Sequence, residues 1–331
     1  MDKDIGLYPF EVQNVEQNVK EIPKGVQMIQ APMYWEKGNN GKGIKIAILD
    51  TGCDKNHPDL KDRIIGGKNF TNDDNGNADI FNDYNGHGTH VAGTIAASKN
   101  DDGVIGVAPE ADLLILKVLG KNGRGSFEWI TNAINYAVEE KVHIISMSLS
   151  SISPDEATHE AIKRAVEKNI LVVCAAGNDG DKNPFTEEFG YPGAYNEVIS
   201  VGAIDFSGQF PKFTNTNKEV DLVAPGVGIL SCYPSNLVED SKIPYKKLSG
   251  TSMSTPHVTG ALALLINHCQ SKKEFNRSLT EPELYAQLVK RTIPSEFYKN
   301  TYEGNGFLYL TATEKLEEYL KSHPVNLEQY Q

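Results

Sequence analysis

Short runs that are apolar at nearly every position recur along the chain at 44–49, 113–118, 144–149, 171–175 and 198–203. Runs of this length and uniformity predict strands buried on both faces. Between them lie stretches with helical spacing of apolar positions, notably 126–141 and 155–169. Strands alternating with helices predict an α/β fold, a mostly parallel central sheet with helices on both faces, in which ligands gather at the carboxyl ends of the strands. Asp50 and the residues after Cys174 fall on that edge. The run 261–266 is apolar on every side and predicts a helix enclosed in a large core. Thr280, Glu281, Pro282 and Glu283 form a capping-box start for another helix, and 311–321 has the spacing of one more.

At 331 residues and 39% hydrophobic, the chain is long enough for one large domain with short extensions. Its 32 basic and 44 acidic residues give a formal charge of -12 with no basic stripe, which argues against nucleic acid as a partner. The first ten residues lack the apolar core of a secretion signal, and no window approaches a membrane span, so the expected location is cytoplasmic, with no membrane partner. Cys53, Cys174, Cys232 and Cys269 are scattered without paired spacing and are expected to be reduced thiols, mostly small buried apolar groups. Residues 1–21 carry five acids against two lysines and have the look of an extension. Its exception is the apolar cluster Leu7, Tyr8, Pro9 and Phe10.

Candidate chemistry lies in four pieces. Ser252 stands just before the enclosed helix, where unpaired amides and the positive end of the dipole favour a developing negative charge. Pro256, early in that helix, is expected to remove a donor that the first turn can spare. A serine there is a helix cap or a nucleophile. Asp50 ends a strand before Thr51 and Gly52, as a turn former or a functional carboxylate. His87 and His90 lie three apart in a glycine-rich segment, but the glutamate of the zinc-protease motif is missing between them, which disfavours a metal. Asn178 follows the strand ending at Ala175, as a turn residue or a donor. Singly each is ambiguous. Jointly they supply a nucleophile, a base, a carboxylate to orient the base and a donor for an oxyanion.

The order Asp50, His87, Ser252, each in glycine-rich surroundings, resembles the subtilisin family of serine proteases over about residues 22–310. The resemblance implies that Asp50 supports the imidazolium, His87 is general base and then acid, Ser252 attacks the carbonyl and Asn178 donates to the oxyanion, with His90 structural. It implies that Gly123, Arg124 and Gly125, with Ser148, Leu149 and Ser150, clamp an extended peptide by main-chain hydrogen bonds. Ala175, Gly177 and Gly190 would wall the pocket for the side chain before the cut. Ser150 and Ser151 stand where the family usually has glycine, which implies narrower subsites.

Within the family the chain is similar to the intracellular branch, through Cys53 directly after Gly52 and the short segment Leu7, Tyr8, Pro9 and Phe10. That likeness implies an N-terminal inhibitory extension at 1–20, a catalytic domain at 21–310, and a C-terminal extension at 311–331 at a homodimer interface. It also implies calcium. One site would use Asp59, Ser98, Asn100, Asp102 and Val104, a second Asp181, Thr186 and Glu188, and Glu219 with Asp221 resembles a weaker cation site. The resulting expectation is a calcium-dependent intracellular serine endopeptidase of broad specificity, made as a zymogen, acting on protein and peptide substrates and restrained by its own extension. The competing readings are a catalytically silent peptide-binding scaffold and a hydrolase of small esters or amides that would lack clamp strands.

Overall fold

The computed structural model describes residues 4–7, 11–16, 19–183, 185–238, 244–271, 275, 277–296 and 298–323. The strands in chain order are β1 (Asp4–Gly6), β2 (Glu11–Glu16), β3 (Lys20–Glu21), β4 (Lys45–Asp50), β5 (Ile64–Asn69), β6 (Gly103–Val104), β7 (Asp112–Lys117) and β8 (Arg124–Ser126). They continue as β9 (Ile144–Met147), β10 (Leu171–Ala175), β11 (Ile199–Ile204), β12 (Leu222–Pro225), β13 (Ile229–Cys232), β14 (Tyr245–Ser249), β15 (Thr292–Ile293) and β16 (Phe307–Leu308). The helices are α1 (Lys24–Met28), α2 (His87–Ala96), α3 (Phe127–Glu139), α4 (Glu156–Glu167), α5 (Thr251–Ser271), α6 (Glu281–Val289), α7 (Asn300–Glu303) and α8 (Ala312–Ser322).

The nine-stranded central sheet has the order β15-β16-β12-β11-β10-β9-β4-β7-β5, parallel throughout except where β15 meets β16. Because strand side chains alternate, each strand feeds two cores. Ile46 and Ile48 of β4 join Val91 and Ile95 of α2 and the 261–266 stretch of α5 on one face. Ala47 and Leu49 join Ile130 and Ile134 of α3 and Ile162 of α4 on the other. This is the α/β sheet with helices on both faces that the pattern predicts. β4 pairs with β7 on one side and β9 on the other, so the crossovers diverge there and open a crevice at the carboxyl end, where Asp50 sits.

The predicted elements shift at their ends for identifiable reasons. Ser126 and Asp155 are caps: Ser126 Oγ accepts from Trp129 N at 3.2 Å, and Asp155 Oδ1 from Thr158 N at 2.9 Å. Thr280 and Glu283 form the expected capping box at the start of α6. Pro256 departs from expectation. It lies inside α5, five residues after Thr251, so the amide it lacks would have bonded the Ser252 carbonyl. Ser148 Oγ donates to that carbonyl at 3.0 Å instead. The N-terminal stretch also pairs with the body in three places: β1 with β8, β2 with β14 and β3 with β6.

α5 is enclosed over most of its length, with 261–265 all fully buried. Leu262→Ala should therefore cost about 2–5 kcal/mol, read as a lower urea midpoint at unchanged slope. A cost below about 1 kcal/mol would contradict enclosure on all sides.

Candidate active site

Asp50 is the last residue of β4 and His87 the first of α2, and both are buried. His87 Nδ1 donates to Asp50 Oδ1 at 2.8 Å, because a carboxylate can only accept. That bond fixes the tautomer with the proton on Nδ1. Asp50 Oδ1 also accepts from Thr51 N at 2.7 Å, which ties the carboxylate to the turn. Ser252, the second residue of α5, is 5% exposed. Its hydroxyl donates to the Ser148 carbonyl at 3.1 Å. Contacts between a nucleophile and its base are commonly loose without substrate.

Asn178 is oriented by its neighbours. Its Oδ1 accepts from Thr251 N at 2.9 Å and Thr251 Oγ1 at 2.8 Å, so Nδ2 is the end left to donate. Nδ2 lies beside Gly250, 3.2 Å from where a Cβ at that residue would sit. A side chain at position 250 would crowd the donor. The structure thus joins His87 to Asp50 and fixes Asn178 at the head of α5, the helix that carries Ser252.

The expected clamp segments already hold a strand. β1 pairs antiparallel with β8, Leu7 N donates to the Gly123 carbonyl at 2.9 Å, and Gly6 and Ser150 exchange bonds of 3.1 and 3.0 Å. Ile5 is 1% exposed, inside the apolar cluster that holds Leu119, Phe127, Ile130 and Leu149. Arg124 lies on β8 with its side chain exposed. Gly190 is wedged between Ser150 and Ala176, where a Cβ would strike both the Ser150 hydroxyl and the Ala176 carbonyl. Tyr8, Pro9 and Phe10 lie outside the described residues. Beyond them β2 pairs antiparallel with β14, which leads directly to Ser252.

The first expected calcium site is assembled around Asp59. Its carboxylate accepts from Asn100 Nδ2 at 2.8 Å, Val104 N at 3.1 Å and Tyr245 Oη at 3.1 Å. Cys232 Sγ approaches, at 3.9 Å, the same Oδ2 that Val104 N and Tyr245 Oη meet, and His57 offers a ring nitrogen within 4.8 Å. Nitrogen and sulfur suit calcium poorly, so a calcium ion would have to draw its oxygens from the 98–104 loop. There Ser98 Oγ is buried with no hydrogen-bond partner among the described residues, and turning the Asn100 amide would present an oxygen. The residues fit an oxygen-seeking cation. Asp102 acts on Tyr245 through its charge. At the second site Thr186 Oγ1 donates to Asp181 Oδ1 at 3.0 Å, while Glu188 is turned to Thr216 N at 3.1 Å. Two of its three residues are together, and the third is held elsewhere. At the third, Asp221 accepts from Tyr285 Oη at 2.5 Å and Ser200 N at 2.8 Å.

Three supporting residues escaped the sequence reading. Asp83 is 1% exposed and accepts five bonds, from Thr51 Oγ1, Asn85 N, Gly86 N, Thr89 N and Thr89 Oγ1, all between 2.7 and 2.9 Å. It thereby joins the turn after Asp50 to the head of α2. Asn215 binds the Ala176 carbonyl at 3.0 Å and Asp179 N at 2.6 Å, bracketing Asn178. Lys117 is fully buried, with its ammonium on the Thr51 carbonyl at 2.6 Å and the Asp73 carboxylate at 3.1 Å. Asp83 is one of four aspartates in the 71–85 loop, and nothing in the sequence sets it apart from the others. The four cysteines are buried thiols outside any disulfide among the described residues, as expected. Among the described residues no helix is long and apolar enough to cross a membrane.

Comparison with known proteins agrees with this geometry. The model of the subtilase family matches residues 41–310. An intracellular serine protease of Paenibacillus polymyxa is 57% identical over 325 residues, covering 98% of this chain and 96% of that protein. The major intracellular serine protease of Bacillus subtilis (strain 168) is 55% identical over 319 residues, 96% of this chain and 97% of that protein. Subtilisin E of the same organism is 40% identical over 248 residues, 75% of this chain and 62% of that protein. The protein is thus a serine endopeptidase. It belongs to the subtilase family.

Four histidines around this core are shifted downward by burial. His90, whose Nε2 meets the Ile229 carbonyl at 2.8 Å, falls to about 3, and His257 to about 4, while His57 and His143 move the same way. The unfolded chain therefore binds more protons between about pH 6.5 and 4, so stability is full above that window and falls as pH drops through it. Asp221, pushed up to about 6 by burial, opposes this, as do Glu281 and Glu303, which burial also raises, so three carboxyls stand against four rings. Urea midpoints should be clearly lower at pH 5 than at pH 7, and His257→Gln should reduce the difference. Equal midpoints would contradict neutral burial of these rings.

Proposed function

We propose that the protein is an intracellular, calcium-dependent endopeptidase made as a zymogen, in which its own N-terminal segment lies along the cleft like a substrate. The observation that carries this reading is the pairing of residues 4–7 with the clamp segments and of 11–16 with β14, on the two sides of Ser252. The intracellular assignment rests on near full-length likeness to two proteases so named.

In the proposed reaction, His87 Nε2 takes the Ser252 proton as Oγ bonds to the scissile carbonyl carbon, and the carbonyl electron pair moves onto oxygen. Asp50 holds the imidazolium through Nδ1, and Asn178 Nδ2 with the head of α5 meets the oxyanion. When the oxyanion collapses, the carbon–nitrogen bond breaks and the departing amine takes the proton from His87. Water, deprotonated by His87, then releases the acyl group and returns the proton to Ser252. A silent scaffold would have no use for all four groups, and a small-ester hydrolase none for two clamp segments.

The extension escapes this fate through Pro9. Gly6 pairs with Ser150, and Ser148, two residues before Ser150, carries the carbonyl that meets Ser252 Oγ. In this proposal Tyr8 or Leu7 would lie near the specificity pocket, and the bond offered to the nucleophile would be the one between Tyr8 and Pro9. Proline lacks an amide hydrogen and fixes φ, which misplaces that bond, while the tether supplies a high effective concentration. Cleavage between about Asn14 and Glu21 would free the cleft.

Calcium, when bound, would order the Asp59 loop, whose β6 pairs with β3 where the extension joins the domain. A second ion at Asp181 and Thr186 would order the loop bordering the pocket. The C-terminal segment would pair two copies through α8, whose Leu316, Tyr319 and Leu320 line one face and are at least half exposed.

Ser252→Ala should reduce turnover below about one part in a thousand with folding retained, and higher residual activity would assign the nucleophile elsewhere. Asn178→Ala should lower kcat about a hundredfold with KM little changed, a loss known for the corresponding donor of subtilisins rather than one calculated for this chain. Full-length protein should be nearly inactive, a form starting near Glu21 active, and Pro9→Ala quicker than wild type to process itself. Equal activity of intact and trimmed protein, with mass confirming the extension, would refute the inhibitory reading. Chelation should lower activity more steeply than global stability, and activity that survives exhaustive chelation would remove calcium from the account.

A further inference from the structure

β14 is the middle strand of a three-stranded sheet, with β13 on one side and β2 on the other. β2 comes entirely from the extension, so its departure leaves the outer edge of β14 open, immediately before the Gly250–Thr251–Ser252 turn. An open strand edge next to a nucleophile is a template on which a further chain can add. The extension passes from the upstream clamp to this edge with only residues 8–10 between. A substrate long enough to follow the same path lies on β14 after the cut.

The charge along this edge is unusual for the molecule. The whole chain carries -12, yet β14 presents Lys246 and Lys247 side by side and no acid. They face differently, as alternation requires. Lys246 Nζ lies 4.0 Å from the centre of the Tyr233 ring and is occupied there. Lys247 points to the added strand, where its ammonium pairs with the Glu16 carboxylate, and both side chains are a little over a third exposed.

We infer that Lys247 is a specificity-determining residue that selects an acidic side chain far downstream of the cleaved bond, at the place Glu16 takes in the uncleaved protein. This rests on the reading of residues 4–16 as substrate-like. Glu16 is the eighth residue after Tyr8, so the selected position is the eighth after the bond. Partly exposed ion pairs are weak, so the effect is a graded preference that acts on binding.

The test uses protein trimmed to begin near Glu21 and three long peptides that differ only at the eighth position after a single cleavable bond, carrying Glu, Gln or Lys, with the cut confirmed by mass. Because each ratio compares peptides on one enzyme, any general loss of activity in a variant cancels. We expect kcat/KM for Glu to exceed that for Lys by about threefold to fivefold, carried in KM, and to lose most of this difference in about 1 M salt. Lys247→Glu should invert the order. Equal kcat/KM for Glu and Lys, or a Glu preference that survives Lys247→Glu, overturns the inference. If none of the peptides is cut, the failure lies in the peptidase reading beneath it.

Discussion

A reciprocal pair of hydrogen bonds between Ser148 and Ser252 holds the site together. Pro256 removes one amide from the ladder of α5, and the Ser252 carbonyl thereby freed is buried, where an unmet acceptor is costly. Ser148 meets it with its hydroxyl, and its own carbonyl takes the Ser252 hydroxyl. One residue pair therefore fixes the distance between the nucleophile and the segment that grips the peptide. The helix cannot shift to relax that distance, because 261–265 are enclosed by the sheet on one side and α2 and α6 on the others.

The second half of the machinery depends on a different kind of convergence. Asp50 arrives at the end of a buried strand and His87 at the head of a helix, and nothing local aligns them. Asp83 does so by accepting from both turns at once, and Lys117 neutralises the stretch behind them from the neighbouring strand. Burial strengthens these bonds, since the local dielectric is low and water does not compete.

Much of this was legible in the residues. Strands apolar at every position announced the parallel sheet, and the order of Asp50, His87 and Ser252 announced the chemistry, because both signals are local or nearly so. What was not legible depends on partners distant in the chain. β2 is polar in sequence and becomes a strand only because β14 offers it an edge. Ile5 looks like a single apolar residue in an acidic tail, and its importance comes from a cavity built by residues more than a hundred positions away. Asp83 and Asn215 resemble ordinary loop polars until the backbone donors they collect are brought together. The helix starts were misjudged at Ser126 and Asp155 for a simpler reason: a cap shares the periodicity of the helix without sharing its backbone.

The main chain of the N-terminal segment, where described, bonds to β8 and Ser150 on one side and β14 on the other. Main-chain bonds are indifferent to side chains, so most of its positions are free to drift in evolution. Its spacing is not. With only three residues between Leu7 and Glu11, and a strand period of two, inserting or deleting one residue would turn an entire pairing face over, sending Ile5 out of its cavity or Glu16 away from Lys247. The segment is thus constrained as a ruler is, by length rather than by lettering.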